Sequence, residues 1–210
     1  MINFRMILSA NVLIGAILLL NGCFSSTARQ AETSYYDLGA IVVANSAQPL
    51  PLRGVDVHAP SWLSTAAIQY RLVYGDVSRR LSYAESRWVA PPAELLEAAL
   101  LRKIAAAETD AASAGCRLRI DVDEFVQIFD SQSSSRSVIE ARVSLLAPKS
   151  EQLLARRNFA LSQVTATPDA RGGVAAFSGL TAGISRDVDV WLAGLMRDTP
   201  ALAQRCAKTT

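Results

Sequence analysis

The residues of this chain that could support chemistry are few: one histidine, three cysteines and scattered carboxylates. The sequence contains no G-x-S-x-G nucleophile motif, no P-loop, no paired Cys-x-x-Cys and no dinucleotide-binding glycine motif. The string nearest to a nucleophile motif, residues 179–183, has Thr181 at its centre and falls inside a predicted helix. Its general base would have to be His58, the single imidazole, at the end of a predicted strand. We therefore expect no enzymatic activity and no metal site.

A group of acidic residues between 121 and 130 could instead suggest a cation site. Asp121 and Asp123, however, alternate with apolar residues and so share one face of a predicted strand with Arg117 and Arg119. Opposite charges on one face of a sheet stabilise each other across neighbouring strands. The pattern therefore favours ion pairing over metal binding.

Cys23 is the residue for which the sequence predicts a covalent modification. Arg5 is followed by a nearly continuous apolar run over residues 6–20, which spans about 22 Å as a helix. That length is short of a ~30 Å bilayer core and is typical of a secretory signal peptide. The run ends in the string LNGC at residues 20–23, which resembles the bacterial lipobox. An ordinary signal peptide and an uncleaved anchor are the alternatives.

The resemblance to a lipobox implies attachment of a diacylglyceryl group to the Cys23 thiol and cleavage directly before Cys23, which becomes the new N-terminus. Residues 1–22 would then be a lipoprotein signal peptide, 23–34 a lipidated tether and 35–210 the folded domain. Two or three acyl chains hold a protein stably on a bilayer. Bacterial lipoproteins retained in the inner membrane carry Asp directly after the lipidated cysteine, whereas Phe24 follows here. The implied location is the periplasm-facing inner leaflet of the outer membrane, with the covalent lipid as the only cofactor-like group.

Lipidation of Cys23 would leave Cys116 and Cys206 as the remaining thiols of a chain exported to an oxidising compartment. Two such thiols favour one disulfide, which would pin the C-terminal tail, just beyond the last predicted helix, to a strand. The alternative is that the two thiols are buried separately.

The elements that must position these residues follow from the hydrophobic periodicity. Alternation with a period of two is clearest over residues 116–122 and returns over 138–145 and 153–161, which predicts an antiparallel meander. From 125 to 129 apolar residues occupy both faces, so this strand should bulge or be covered on both sides.

Two helices are predicted around these strands. Pro91-Pro92 opens the first, and an apolar stripe from Phe177 to Leu195 predicts a second over residues 169–197. Further strands are predicted over residues 35–44, 52–58, 66–73 and 80–84. The order of strands, helix, strands and helix indicates a single α+β domain, a mostly antiparallel sheet with two packing helices.

Composition narrows the possible functions of that domain. Half of the residues are hydrophobic, which excludes a disordered chain. The balance of 21 basic against 19 acidic residues leaves no surplus charge to neutralise nucleic-acid phosphates. We therefore expect a membrane-tethered protein that binds no nucleic acid.

Trp62 and Trp88 stand in segments predicted to be loops, next to prolines. Tryptophans in loops are enriched at protein interfaces, so both are candidates for partner binding. The alternative is that each is a half-buried packing residue. Trp191 is assigned to the core, because it falls on the apolar stripe of the long helix.

Several segments, in order along the chain, resemble the bacterial ABC-type transport auxiliary lipoproteins, the group that includes the paraquat-inducible C-type lipoprotein. The lipobox is followed by YYDLG at 35–39, PSWL at 60–63, IQYR at 68–71, YAESRW at 83–88, PPAELL at 91–96, CRLRI at 116–120, EF at 124–125 and FDS at 129–131. Together these segments cover nearly all of the chain after the lipobox.

The resemblance implies a non-enzymatic outer-membrane lipoprotein that works with an MCE-domain protein and, indirectly, with an ABC permease and ATPase. Such systems move lipids between the two membranes, and the lipoprotein would dock the MCE partner at the outer membrane. The alternatives are another envelope-assembly lipoprotein, such as a pilotin or machine-stabilising subunit, and a lipid-modifying enzyme. A lipid-modifying enzyme would need a nucleophile with a neighbouring general base, and the sequence shows no such pair.

Overall fold

The computed structural model describes residues 32–39, 50, 52–106 and 115–207. The strands are β1 (Ser34–Tyr36), β2 (Leu52–His58), β3 (Ala67–Leu72), β4 (Leu81–Trp88), β5 (Cys116–Ser131), β6 (Ser134–Leu146) and β7 (Leu153–Val164). The helices are α1 (Pro92–Ala106), α2 (Ala170–Asp198) and α3 (Ala201–Ala207), and Ser61–Leu63 forms a short 3-10 turn. The predicted α+β class is confirmed.

Strand β5 is central to a mixed sheet with the order β1-β4-β3-β5-β6-β7, in which β2 also pairs with β5. β5, β6 and β7 form the predicted antiparallel meander. On its other side, β5 pairs in parallel with β2 from Cys116 to Asp121 and with β3 from Gln127 to Phe129. These parallel pairs were not predicted, because periodicity reports which residues share a face and not which strands are neighbours.

A bulge lies in the middle of β5, where the pairing with β6 shifts register between Val122 and Glu124. Ile120 and Val122 are buried before the bulge, and Phe125 is buried after it. The extra residue, Asp123, resets which side chains face the core, since side chains otherwise alternate strictly along a strand. The change of pattern predicted near residue 125 is confirmed.

Helix α2 covers one face of the sheet with its predicted apolar stripe. The stripe residues Phe177, Leu180, Ile184, Val188 and Trp191 are all buried. At the helix start, the Asp169 carboxylate accepts a hydrogen bond from the backbone N–H of Gly172 at 2.7 Å, which lowers the pKa of Asp169. A Cβ at Gly172 would clash with Thr167, and one at Gly173 with Gln127. These two glycines therefore permit the close approach of the helix to the loop before it and to β5.

Three element boundaries differ from the prediction. Instead of a strand over 35–44, β1 ends at Tyr36, and Gly39 has a left-handed backbone conformation with a φ of +69°. Residues 40–44 lie outside the described residues. β4 continues to Trp88 rather than ending at residue 84. Cys206 lies within α3, a helix of seven residues that is too short to show an apolar stripe in the sequence.

Candidate partner-binding surface

Trp62 lies in the 3-10 turn between β2 and β3, and 54% of its side chain surface is exposed. The next residue, Leu63, is buried in the core and anchors the turn. The Leu63 backbone N–H donates to the carbonyl of Pro60 at 2.9 Å, which closes the turn. The turn is therefore held in place by a buried leucine and a backbone hydrogen bond, and it exposes a large aromatic ring to solvent. This placement agrees with the predicted role of Trp62, which stays a prediction.

Trp62 lines an open cleft of about 340 Å³. The other lining residues include His58 and Pro60, which are close to it along the chain, and Asp121, Asp123 and Arg142 from β5 and β6. Asp123 is the bulge residue of β5, so the bulge contributes to the lining. An exposed aromatic ring beside polar groups is typical of protein interfaces.

Both carboxylates that line the cleft form ion pairs. Two nitrogens of the Arg142 guanidinium donate to the two carboxylate oxygens of Asp123 at 3.0 and 2.9 Å, which raises the pKa of Arg142. Arg119 donates to Asp121 at 3.1 Å. The predicted cross-strand pairing is confirmed for Asp123 and Arg142, whereas Asp121 pairs with an arginine of its own strand. A bidentate pair is rigid and has little net charge, so it can accept polar groups of a partner at a fixed position.

A partly buried polar network holds the Trp62 turn against the sheet. The side-chain amide of Gln69 donates to the backbone carbonyl of Trp62 at 2.6 Å, and its oxygen accepts from Arg80 at 2.9 Å. Glu124 accepts from Arg80 at 2.8 Å and from Arg71 at 3.0 Å. Sequence reasoning missed this network because its members come from β3, from the connection that follows it and from β5, up to 53 residues apart.

The structure does not support a partner-binding role for Trp88, because only 1% of its surface is exposed. Its ring packs edge-on against Phe125 at 5.8 Å and against Phe177 at 5.7 Å between ring centroids. Trp88 ends strand β4 and does not lie in a loop. The predicted strand ended at residue 84, so the loop was expected to begin four residues too early. The alternative interpretation, a packing residue, is the one that the geometry favours.

The comparison with known families decides what kind of protein carries this surface. Residues 36–189 match the sequence model of the ABC-type transport auxiliary lipoprotein component family. The chain belongs to this family. The resemblance carried by the segments between residues 35 and 131 is therefore confirmed, and the protein is an auxiliary lipoprotein component of an ABC-type transport system.

Solved structures share the fold of this auxiliary lipoprotein. A DUF330 protein from Xanthomonas campestris superposes with a TM-score of 0.67 at 20% identity, over 80% of this chain and 99% of its own. An uncharacterised protein superposes with a TM-score of 0.59 at 17% identity, over 77% of this chain and 99% of its own. At these identities the likeness shows the fold alone. No curated protein matches the chain.

The structure joins the two thiols predicted to pair in the auxiliary lipoprotein. Cys116, the first residue of β5, forms a disulfide with Cys206 in α3, and their Cα atoms are 4.8 Å apart. Both cysteines are fully buried. The bridge fastens the C-terminal helix to the sheet at the end where β5 begins.

The residues considered for catalysis have structural explanations. Thr181 is buried in α2, and its hydroxyl donates to the carbonyl of Phe177 at 2.8 Å. His58 is exposed at the end of β2. Over the described ranges, no group of three or more His, Cys, Asp or Glu side chains could hold a metal ion.

The lipidation site Cys23, the predicted signal peptide and the tether up to residue 31 lie outside the described residues. Between residues 32 and 207, none of the described helices is long and apolar enough to cross a membrane. Lipid attachment at Cys23 therefore stays a prediction, which the lipoprotein family supports.

Proposed function

We propose that this protein is a non-enzymatic docking subunit of an MCE- and ABC-type system that transports lipids between membranes. The observation that carries the proposal is the family match over residues 36–189. In this proposal, acyl chains on Cys23 anchor the protein in the inner leaflet of the outer membrane. The folded domain faces the periplasm and binds the MCE-domain protein, which in turn connects to the ABC permease and ATPase.

The proposed docking surface is the Trp62 cleft. Trp62 supplies a large apolar ring on a turn that Gln69 and Leu63 hold in place, so little conformational entropy is lost when a partner covers it. The neighbouring pair of Asp123 and Arg142 already satisfies its own charges. Burial of this pair at the rim of an interface therefore costs less than burial of two separate charges. The surface fits a partner with an apolar pocket for the indole and polar groups around it.

The anchor is tested by Cys23→Ser with metabolic labelling by a palmitate analogue. We expect wild-type protein to incorporate the label and the variant to accumulate as unlabelled, unprocessed precursor in the inner membrane. Equal labelling of both proteins would contradict lipid attachment at Cys23.

The partner is tested by copurification from envelope membranes. We expect the MCE-domain protein to copurify with the wild type and to be lost with Trp62→Ala. Val190→Ala is a matched control, because Val190 is also an exposed apolar residue but lies on α2. Copurification of a secretin or another pore in place of the MCE protein would favour a pilotin-like or machine-stabilising subunit.

A further inference from the structure

Exposed apolar side chains gather at one end of the sheet. The connection between β3 and β4, residues 73–80, exposes Val73, Tyr74 and Val77, the last two to 50% and 57%. Backbone bonds close this connection, for example from the Gly75 N–H to the carbonyl of Leu72 at 3.1 Å. The apolar side chains are therefore held outward on a structured hairpin.

Strand pairing brings a fourth exposed residue to the same end. The Val73 N–H donates to the carbonyl of Phe129 at 3.0 Å, and Phe129 pairs with Ser135 of β6. The next residue of β6, Arg136, pairs with Val164 at the end of β7, and 74% of Val164 is exposed. Large exposed apolar residues on one connection and one strand end thus lie at the same end of the sheet.

The chain also enters the sheet from this end. β1 runs parallel to β4, with Ser34 opposite Ser86 and Tyr36 opposite Trp88. β4 begins at Leu81, directly after the hairpin, so the N-terminal end of β1 lies toward the hairpin side.

The predicted tether is long enough to bring this end to a bilayer. Five residues separate Leu81 from Ser86, which corresponds to about 17 Å along the strand. The ten residues between Cys23 and Ser34 reach up to roughly 33–36 Å when extended. A lipid on Cys23 therefore allows the hairpin to touch the membrane surface.

The charges at this end nearly balance and attract an anionic surface only weakly. Five arginines stand against four carboxylates there: Arg71, Arg79, Arg80, Arg136 and Arg171, and Asp76, Glu124, Asp130 and Asp169. The attraction to a bilayer must then come from the apolar side chains. Tyrosine suits the membrane interface, because its ring is apolar and its hydroxyl reaches water.

We propose that the hairpin end of the sheet, residues 73–80 with Val164, is a second membrane contact that inserts its apolar side chains among the lipid headgroups. This inference rests on the proposed lipid anchor, since a weak apolar contact becomes effective when the anchor holds it beside the membrane. The contact fixes the orientation of the domain. It places the Cys116–Cys206 end away from the membrane and leaves the Trp62 cleft, midway along β5, open to a partner.

The experiment reconstitutes the full mature lipoprotein in vesicles of phosphatidylethanolamine with a minor share of phosphatidylglycerol, with and without brominated acyl chains. Tyr74→Trp adds a fluorescent reporter to the hairpin, and Leu153→Trp adds a matched one at the opposite end, where Leu153 is exposed. The wild-type signal is subtracted as background. We expect brominated lipid to quench the reporter at position 74 and not the reporter at position 153.

Two further arms identify the source of the contact. Val77→Asp in the Tyr74→Trp background should abolish most of the quenching, and added salt should leave quenching nearly unchanged because the contact is apolar. Quenching that disappears with salt would overturn the apolar contact in favour of headgroup charge. An unquenched Tyr74→Trp reporter, or quenching only at Leu153→Trp, would overturn the proposal outright.

The intact mass of the same preparation separates this proposal from the anchor. If Cys23 is acylated and the hairpin reporter is unquenched, the hairpin contact is wrong and the anchor stands. If Cys23 carries no lipid, the anchor is wrong; a quenched hairpin reporter would still support the contact, and an unquenched one would remove it as well.

Discussion

The two candidate tryptophans should respond to the same substitution in opposite ways. Trp88→Ala removes a ring that packs against Phe125 and Phe177 and is 1% exposed. Truncation of a buried tryptophan costs about 3–5 kcal/mol. For a domain of this size, that cost corresponds to a fall in Tm of roughly 6–20 °C.

Trp62→Ala should cost about 1 kcal/mol or less, because more than half of this side chain is exposed. The hydrogen bond from Gln69 reaches the backbone carbonyl of residue 62 and survives the substitution. The MCE partner should nevertheless fail to copurify with Trp62→Ala. With Trp88→Ala, any decrease in the amount of copurified partner should be proportional to the fraction of the variant that is unfolded.

Thermal and urea unfolding of the mature protein, followed by circular dichroism, measure the stability of both variants beside the wild type. Copurification is then compared at a temperature where each variant is folded. A Trp62→Ala variant that melts as early as Trp88→Ala would refute the assignment of Trp62 to the surface. Unimpaired partner binding by a stable Trp62→Ala variant would remove this residue from the docking surface.

Three further predictions concern the architecture that supports this surface. Replacing Cys116 and Cys206 by alanine should lower the free energy of unfolding by up to about 4–5 kcal/mol, since the bridge closes a loop of 90 residues. Peptide mapping without reductant should find the linked pair, and free thiols would contradict the bridge. Asp169→Ala should cost about 1 kcal/mol in urea unfolding at neutral pH. This difference should begin to shrink as the pH falls below about 4, where the carboxyl group protonates in the unfolded chain, and should be lost once the pH has passed the lowered pKa of the folded state. An unchanged difference at low pH would exclude the cap. Gly173→Ala should destabilise by about 1–3 kcal/mol despite the better helix propensity of alanine, because the new Cβ meets the buried Gln127; a raised Tm would show that this contact relaxes freely.

Much of the fold could be predicted where apolar residues repeat with one constant spacing along a whole strand or helix. The alternation around Leu118 and Ile120 and the stripe from Phe177 to Trp191 reflect burial against a single neighbouring layer, and both were assigned correctly. The pairing of Cys116 with Cys206 followed from counting thiols in an oxidising compartment.

The candidate site was less accessible to sequence reasoning. Trp62 and Trp88 have similar proline-rich neighbours, and only the extension of β4 places Trp88 in the core. The network that supports Trp62 joins Gln69 of β3 to Glu124 of β5 through Arg80, which lies in the connection between β3 and β4. Contacts of this kind depend on strand order, which no local pattern encodes.

Site-specific photo-crosslinking in intact cells tests the central claim most directly. A photoreactive amino acid at position 62 reports what covers the cleft, and one at Val190 on α2 serves as the control. We predict that the crosslinked product from position 62 contains the MCE-domain protein and that the product from position 190 does not. If the protein carries lipid on Cys23 but crosslinks to the MCE protein from neither position, it is not the docking subunit of that protein, and the account is contradicted.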